Sequence, residues 1–126
     1  MANIVFDASV VLALLYGERM RTAPPNLRWA SMSAVNAAEV WTKLAGGNDA
    51  EQRAGLYLLE SLREIVPFTV DQAKVSGDLQ LEPGVQGLSL GDRACLSLAL
   101  SIGADVFTAD RVWSRLKLPC AVHCVR

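Results

Sequence analysis

Four acidic residues lie far apart in the sequence but share one kind of local setting. Asp7 and Asp110 each follow a short apolar segment, whereas Glu39 and Asp92 lie in the first turns of segments with helical spacing. The lysines and arginines close in sequence to Asp92 and Asp110 do not explain both acids as ion-pair partners. Carboxylates brought together without a counter-charge repel one another, and a hard divalent cation with oxygen ligands removes that repulsion. The four acids therefore predict a cation site, which suits chemistry on a phosphodiester.

Each of these acids also has a purely structural explanation. Asp7 and Asp110 stand where an N-cap residue accepts a hydrogen bond from a free backbone N–H group, and an acid there also offsets the helix dipole. Two pairs have the spacing of a capping box: Ser89 with Asp92, and Asn36 with Glu39. Taken one at a time, the acids are more often caps than ligands, so the predicted cation site depends on all four converging.

The elements that would bring the acids together follow from the apolar pattern. Short apolar segments alternate with segments of helical spacing, which predicts an α/β fold with a parallel sheet covered on both faces. In such a sheet the carboxyl ends of the strands gather at one edge, where ligands bind. Residues 49–62 form the clearest amphipathic helix, and Pro67 favours an edge position for a strand at 65–68. The face of that helix predicted to be buried consists of Ala54, Tyr57, Leu58 and Leu62.

Composition narrows the class of protein. With 126 residues, of which 52% are hydrophobic and 20% charged, the chain is sized for a single domain over residues 1–126 with a substantial core. The formal net charge of −1 gives no overall attraction for nucleic acid, so such a role requires a local basic patch or bound cations. The first residues lack a basic leader and no apolar run reaches the length of a membrane span. We therefore expect a cytoplasmic protein with no membrane partner.

The cysteines and the single histidine do not make a convincing metal site. Cys120, His123 and Cys124 are close in sequence, but residues four apart on a strand are about 13 Å apart. A tetrahedral zinc site also needs a second pair of ligands, and none is visible. His123 is therefore interpreted as a residue on the face of a strand, and Cys95, within an apolar helical segment, as buried.

Four short segments carry a resemblance to a known family. They are "IVFDAS" around Asp7, "SAVNAAEV" around Glu39, "GLSLGDRACLSLAL" around Asp92 and "VFTADRVW" around Asp110. In order and spacing they resemble the signature segments of PIN-domain ribonucleases, and more narrowly those of the VapC-type toxins of bacterial toxin–antitoxin pairs. The resemblance extends over nearly the whole chain. It implies a PIN-like α/β/α sandwich on a parallel sheet of four to five strands.

The resemblance also implies an activity and partners. A divalent cation, Mg²⁺ or Mn²⁺, would be surrounded by four acids: Asp7, Glu39, Asp92 and Asp110. Asp7 and Asp92 would be the most direct ligands, and a metal-activated water would hydrolyse structured RNA such as tRNA or rRNA. Ser9 and Thr108 would orient the acids by hydrogen bonds, although an ordinary turn or cap role explains both equally well. The family further implies a homodimer and a cognate antitoxin whose tail fills the active-site groove.

Several basic and aromatic residues near these segments have open roles. Three arginines of the segment "RMRTAPPNLRW" either hold RNA phosphates or form a solvated loop: Arg19, Arg21 and Arg28. Arg93 either pairs with an acid of the cluster or faces solvent. Three tryptophans either stack on bases or pack in the core or an interface: Trp29, Trp41 and Trp113. Relatives often carry arginine and threonine in the loop before "GLS", where this chain has Gln80 and Pro83, so substrate choice or antitoxin contact can differ.

Other classes of protein fit the sequence less well. A receiver-type domain needs two adjacent acids after its first strand and a late lysine, whereas Asp7 stands alone and the last strand, "CAVHCVR", has no lysine. A haloacid-type phosphatase needs an acid where Ser9 stands, and a Rossmann unit needs a glycine-rich turn that "FDASVV" lacks. A non-catalytic binding module stays open if the acids are only caps, and such a module would gain no thermal stability from Mn²⁺.

Overall fold

Five short strands form one parallel sheet at the centre of the molecule. A computed structural model describes residues 3–126. The strands are β1 (Asn3–Phe6), β2 (Ala30–Ser33), β3 (Glu64–Val66), β4 (Ala104–Thr108) and β5 (Val122–Cys124). They are all parallel, in the order β3-β2-β1-β4-β5, so β1 is central and β4 lies directly beside it. The predicted α/β class, with a parallel sheet of four to five strands, is confirmed.

Five helices connect the strands, and polar side chains define where they begin. The helices are α1 (Ala8–Leu15), α2 (Ala34–Ala45), α3 (Asp49–Ser61), α4 (Val70–Leu79) and α5 (Leu90–Ile102). Short 3₁₀ helices lie at Leu27–Trp29, Pro83–Val85 and Arg111–Arg115. Each α-helix starts after a side chain that accepts a hydrogen bond from a free backbone N–H group: Asp7, Ser33, Asn48, Thr69 and Ser89. Gly103 ends α5 with φ +63°, a left-handed conformation that favours glycine.

The core lies in two layers, one on each face of the sheet. Adjacent residues of β1 point in opposite directions, so Phe6 packs with α1, α2 and α3, whereas Val5 packs with α5. Both side chains are fully buried, and each contributes about 1.5–3 kcal/mol to the free energy of unfolding. This arrangement is an α/β/α sandwich. Both layers therefore fix β1, and with it Asp7, the residue that follows β1.

The predicted buried face of α3 is correct at Leu58 and Leu62, which pack in or against the core, and wrong at Ala54 and Tyr57. Ala54 is exposed and Tyr57 is 70% exposed, whereas Gly55 and Leu59 face the core. At Gly55 a Cβ atom would collide with the side chain of Leu44 on α2, so the missing side chain lets the two helices approach closely. Close contact at this glycine sets the rotation of α3, and a pattern based on side-chain hydropathy does not detect it.

The edge position predicted for the third strand is confirmed. β3 pairs with β2 alone, and Pro67 follows its last residue, where no ladder hydrogen bond is needed. No helix among residues 3–126 is both long and apolar enough to cross a membrane.

Candidate active site

Asp7 lies at the carboxyl end of the central strand, and two hydroxyl groups hold its carboxylate. Its backbone N–H donates to the carbonyl of Phe107 on β4 (3.2 Å). One carboxylate oxygen, Oδ1, accepts from the backbone N–H of Ser9 (3.0 Å) and from the Ser9 hydroxyl. The other, Oδ2, accepts from the hydroxyl of Thr108 (2.9 Å). Asp7 therefore caps α1, as its position suggested, and is also fixed in one orientation across two strands.

Ser9 and Thr108 connect Asp7 to the segment that carries Asp110. The Ser9 hydroxyl accepts from the backbone N–H of Ala109 (2.8 Å), and the Thr108 hydroxyl accepts from that of Asp110 (3.0 Å). The two hydroxyl oxygens lie 3.3 Å apart. Both hydroxyls therefore contact Asp7, as their positions beside the acids in the sequence suggested. Their role in orienting a metal ligand stays a prediction.

Burial leaves the charge of Asp7 poorly compensated. Burial raises its pKa to about 6; the hydrogen bonds from Ser9 and Thr108 oppose this rise, and the negative charge of Asp92 adds to it. Among residues 3–126 the ion pairs are Lys74–Asp78, His123–Asp105 and Arg126–Glu18, and none involves any of the four predicted acids. Within the described residues, therefore, no lysine or arginine pairs with Asp7.

Glu39 lies against the first turn of α5, beside Asp92. Its Oε1 accepts from the side-chain amide of Asn36 (2.7 Å), which also donates to the carbonyl of Gly91 (3.0 Å). A Cβ atom on Gly91 would stand 2.6–2.7 Å from the carboxylate of Glu39, so a side chain there would displace this carboxylate. Asn36 lies inside α2, whose N-cap is Ser33, so the predicted capping box of Asn36 with Glu39 is wrong. Asn36 instead fixes Glu39 against another helix.

Cys95 provides a second indication that the acids converge. It is fully buried on α5, one turn after Asp92. Burial raises the pKa of its thiol well above the usual range, and the negative charges of Asp7, Asp92 and Glu39 raise it further. The charges of three acids from three segments of the chain therefore act on the sulfur atom of Cys95. The prediction that Cys95 is buried is confirmed.

Asp92 and Asp110 both cap helices as well. Asp92 Oδ2 accepts from the backbone N–H of Ser89 (3.1 Å), while the Ser89 hydroxyl accepts from that of Asp92 (3.2 Å), so this predicted capping box is confirmed. Asp110 Oδ1 accepts from the backbone N–H of Val112 (2.9 Å). Asp92 is half-buried and Asp110 is exposed. Each of these acids therefore has a structural role, and the negative charge of Asp92 also acts on Asp7.

The chemistry of the donor set fits a hard divalent cation, but the carboxylates are not arranged around one. Carboxylate and hydroxyl oxygens are suited to Mg²⁺ or Mn²⁺, and a buried oxygen of Asn36 beside Glu39, Oδ1, has no hydrogen-bond partner. However, no three side chains of histidine, cysteine, aspartate or glutamate within residues 3–126 are grouped closely enough to hold an ion. Glu39, Asp92 and Asp110 are instead turned toward partners on their own segments. Ion binding would therefore require these side chains to rotate.

The predicted basic residues have different placements. The Arg93 guanidinium neither pairs with an acid nor extends into solvent; it donates to the carbonyl of Ser76 on α4 (2.8 Å). Arg28 lies just before β2, at the sheet edge opposite the one where the strands end. Arg19 and Arg21 line a cleft that continues toward Asp110. Of these arginines, Arg19 and Arg21 therefore lie on the surface that leads to Asp110, and Arg93 follows Asp92 but points to α4.

Sequence reasoning missed Asn36 and Gly91 as residues that position an acid. The three-residue separation of Asn36 from Glu39 on a helix was the available signal, because such residues lie on one face.

On the edge strand β5, His123 Nε2 lies 2.9 Å from Asp105 Oδ2 and its ring stacks on Phe107. His123 is thus a residue on a strand face, as predicted. Trp113 is buried in the core, whereas Trp29 and Trp41 are partly exposed.

The fold and the site define an α/β/α protein with an acidic site at the carboxyl edge of a parallel sheet. The sequence model of the PIN domain matches residues 4–118, which is most of the chain. The chain belongs to the PIN domain family. No curated protein sequence matches it significantly.

Solved structures with the same fold come from bacterial toxin–antitoxin systems. The DNA-bound VapBC of Salmonella typhimurium has a TM-score of 0.73 at 16% identity, with 100% of both chains covered. VapBC-5 of Mycobacterium tuberculosis, a member of the VapBC family of toxin–antitoxin systems, has a TM-score of 0.65 at 19% identity, covering 98% of both. VapC20 of Mycobacterium tuberculosis, a toxin that cleaves the sarcin–ricin loop, has a TM-score of 0.67 at 20% identity, covering 89% of this chain and 93% of that one. At these identities the likeness establishes the fold.

Proposed function

We propose that the chain is a divalent-metal-dependent endoribonuclease and the toxin of a toxin–antitoxin pair. The observation that supports this proposal is the proximity of Asp7, Glu39 and Asp92 at one sheet edge, where none of them pairs with a lysine or arginine of residues 3–126. Uncompensated carboxylates at that edge attract a cation and, through it, a phosphate. Family membership and the fold shared with VapBC proteins support the same activity.

The residues have distinct roles in the proposed reaction. The residues that would hold Mg²⁺ or Mn²⁺ are Asp7, Glu39, Asp92 and Asp110. When bound, such an ion would supply positive charge to neutralise the scissile phosphate and would lower the pKa of a bound water. Ser9 and Thr108 keep Asp7 in one rotamer, and its raised pKa means that ion binding competes with a proton. Asn36 keeps Glu39 over the first turn of α5.

The proposal includes partners and a location. Several solved structures of the same fold are VapBC complexes, so we propose a cognate antitoxin and a homodimer for this chain. The proposed substrate is structured RNA such as tRNA or rRNA, in line with the RNA loop cleaved by one protein of the same fold. The proposed location is the cytoplasm, where these RNAs are found.

The decisive experiment is cleavage of total cellular RNA by the purified chain without any partner. Reactions contain Mg²⁺, Mn²⁺ or a chelator, and Asp92→Asn is run beside the wild type. Asparagine preserves the cap on α5 because its side-chain oxygen also accepts a hydrogen bond. Asp78→Asn is the matched control, because Asp78 is exposed on α4 and pairs only with Lys74.

Two results separate the proposal from its alternatives. Discrete RNA fragments that require a metal ion and Asp92, but not Asp78, are the expected outcome. Cleavage that persists in the chelator, or in Asp92→Asn, would show that the nuclease activity comes from elsewhere.

A second candidate is a non-catalytic binding module, and one observation favours it. Asp7, Asp92 and Asp110 each accept a hydrogen bond that caps a helix. In that case the acids have a complete structural role and need no ion. Thermal unfolding with and without Mn²⁺ discriminates the two: an unchanged melting temperature supports the module, and a metal-dependent increase supports the nuclease.

A further inference from the structure

Two neighbouring clefts beside the acids share the same pair of arginines. The first has a volume of about 570 Å³ and is lined by Ser9, Ala109, Asp110, Arg111 and Arg126. The second has a volume of about 440 Å³ and is lined by Arg19, Met20, Arg21, Arg111 and Arg126. Because Arg111 and Arg126 line both, the two clefts adjoin each other. We call the surface formed by Arg19, Arg21, Arg111 and Arg126 the arginine cleft.

The backbone that carries the arginine cleft is tied to the backbone of the acidic site. The N–H groups of Arg21 and Thr22 both donate to the carbonyl of Val125 (2.8 and 3.2 Å). The N–H of Val125 donates in turn to the carbonyl of Thr108 (2.8 Å), whose hydroxyl holds Asp7. Arg111 starts the 3₁₀ helix that Asp110 caps. The arginines are therefore held at a fixed position relative to the carboxylates.

The arginine cleft carries positive charge that the described residues neutralise only in part. Arg126 donates to Glu18 Oε1 (2.8 Å). Within residues 3–126, the other three arginines have no carboxylate within 4.0 Å: Arg19, Arg21 and Arg111. All four side chains are exposed, in a chain whose formal net charge is −1. Guanidinium groups gathered in this way repel one another and attract an anion.

We infer that the arginine cleft binds backbone phosphates of the RNA on one side of the bond that is cut. This inference rests on the proposed nuclease function and names a binding site for its substrate. The planar guanidinium group binds phosphate oxygens in pairs, which makes arginine well suited to this ligand. Ser9 lines the cleft and also donates to Asp7, so a strand seated on the arginines continues to the carboxylates.

Charge also explains why the acidic site needs such a cleft. The phosphates of RNA are repelled by Asp7, Glu39 and Asp92, and the net charge of the chain gives no compensating attraction. A local group of arginines restores attraction at one end of the site without neutralising the acids, because none of them pairs with those acids. The cleft thus supplies affinity, and the carboxylates supply the chemistry.

The first test measures binding without cleavage. Fluorescence anisotropy follows a labelled single-stranded oligouridylate with the full chain in a chelator, over a series of salt concentrations. The double substitution Arg111→Gln with Arg126→Gln should weaken binding about tenfold or more at low salt. The slope of log affinity against log salt should fall by about 1.4, since each phosphate contact on a single strand contributes about 0.7.

A matched control is Arg53→Gln, which removes an exposed arginine on α3 that lines a separate cleft between α3 and α2. It should leave both affinity and slope unchanged. An unchanged affinity in the double variant, an equal loss in Arg53→Gln, or no binding by the wild type at low salt would each overturn the inference.

A second variant separates phosphate binding from a structural role of Arg126. Glu18→Gln removes the carboxylate that competes for Arg126, so it should strengthen RNA binding, opposite to Arg126→Gln. If the pair serves only to hold the two segments together, both substitutions lower the melting temperature and neither strengthens binding. That result would contradict a phosphate-binding role for Arg126.

Two further comparisons assign the ligand and separate this inference from the proposed function. An oligoglutamate of the same length should not displace the RNA; displacement that depends on Arg111 would make the cleft a peptide site instead.

If the wild type cuts RNA and the double variant has an unchanged KM, the cleft inference fails while the nuclease stands. If binding depends on the arginines but no RNA is cut with Mn²⁺, the cleft stands and the nuclease proposal fails.

Discussion

The buried and exposed acids of the site differ in what holds them. Asp7 follows the central strand and is 5% exposed, and hydroxyls from two segments of the chain hold its carboxylate. Asp92 and Asp110 lie at helix starts on more open surface, where each accepts a hydrogen bond from its own segment. Aspartates at equivalent places in the topology therefore differ in burial, and in how many segments hold the carboxylate, according to how many elements cover them. The predictions below test that difference.

The largest expected effect is loss of cleavage in Asp7→Asn. Asparagine caps a helix well, so α1 should be retained, but the central negative charge is lost. Substitution of a residue that only orients a metal ligand lowers activity about 10–100-fold. Removal of a direct ligand should lower activity further. Cleavage of the mapped RNA under single-turnover conditions measures the loss. If Asp7→Asn lowers cleavage no more than Asp110→Asn does, the buried acid does not contribute more than the exposed one.

The pH dependence of stability should also be dominated by Asp7. Burial raises its pKa to about 6, so in the metal-free protein the folded state binds this proton more tightly than the unfolded chain. The free energy of unfolding should therefore fall as pH rises from about 4 to about 6 by up to about 3 kcal/mol. Denaturant unfolding in a chelator at several pH values measures it. In Asp7→Asn the decline should be absent and stability at pH 7 higher; a persistent decline would assign it to another group.

Gly91→Ala should disturb the site more than the fold. The new Cβ atom would stand 2.6–2.7 Å from the carboxylate of Glu39, which must move away. Alanine favours a helix over glycine by about 1 kcal/mol, which offsets the displacement in the free energy of unfolding. Cleavage should drop about 10–100-fold, as for residues that orient a ligand. Gly77→Ala, on α4 where a Cβ meets open space, is the control and should leave cleavage unchanged.

Thr108→Val should alter the ionisation of Asp7 at moderate cost in stability. It removes the hydroxyl that donates to Asp7 and accepts from the backbone of Asp110, so the pKa of Asp7 should rise further. The free energy of unfolding should fall by about 1–3 kcal/mol because buried groups lose their partners. The pH profile of cleavage should shift upward, and Thr108→Ser should restore it. A uniform loss at every pH would indicate a packing defect instead.

Ser89→Ala should have the smallest effect. The loss of the N-cap on α5 should lower the free energy of unfolding by about 1 kcal/mol, as in Asn48→Ala on α3. Asp92 would still lie at the helix start, so cleavage should change less than in Gly91→Ala. A larger loss of cleavage in Ser89→Ala than in Gly91→Ala would mean that the cap, rather than Gly91, controls the position of the acids.

Much of the fold follows from the sequence because its main signals are local. Alternating apolar and helical segments, capping side chains and the proline after β3 each act within a few residues, and they predicted the parallel sheet and its edge strand. The rotation of α3 was not predicted, because it depends on contact between Gly55 and another helix. The direction of Arg93 likewise depends on a carbonyl that lies on α4.

The acids were identifiable, together with Ser9 and Thr108 beside Asp7, whereas their other surroundings were not. Their positions at strand ends and helix starts are visible in the sequence, and a parallel sheet brings such positions to one edge. The contact of Asn36 with Gly91 joins residues 55 positions apart, and no local pattern encodes it. The same holds for the arginine cleft, since Arg19 and Arg126 become neighbours only after the last strand pairs.

The pairing of β1 with β4 has a consequence for how the protein is made. Asp7 and the hydroxyl that holds it are separated by 101 positions, so a growing chain on the ribosome carries this acid long before its partner emerges. At about 5–20 residues per second, that interval lasts several seconds. A chain released early, before Thr108 has been added, cannot form the complete pair of β1 and β4. For the proposed toxin, abortive translation products would therefore be harmless to the cell that makes them.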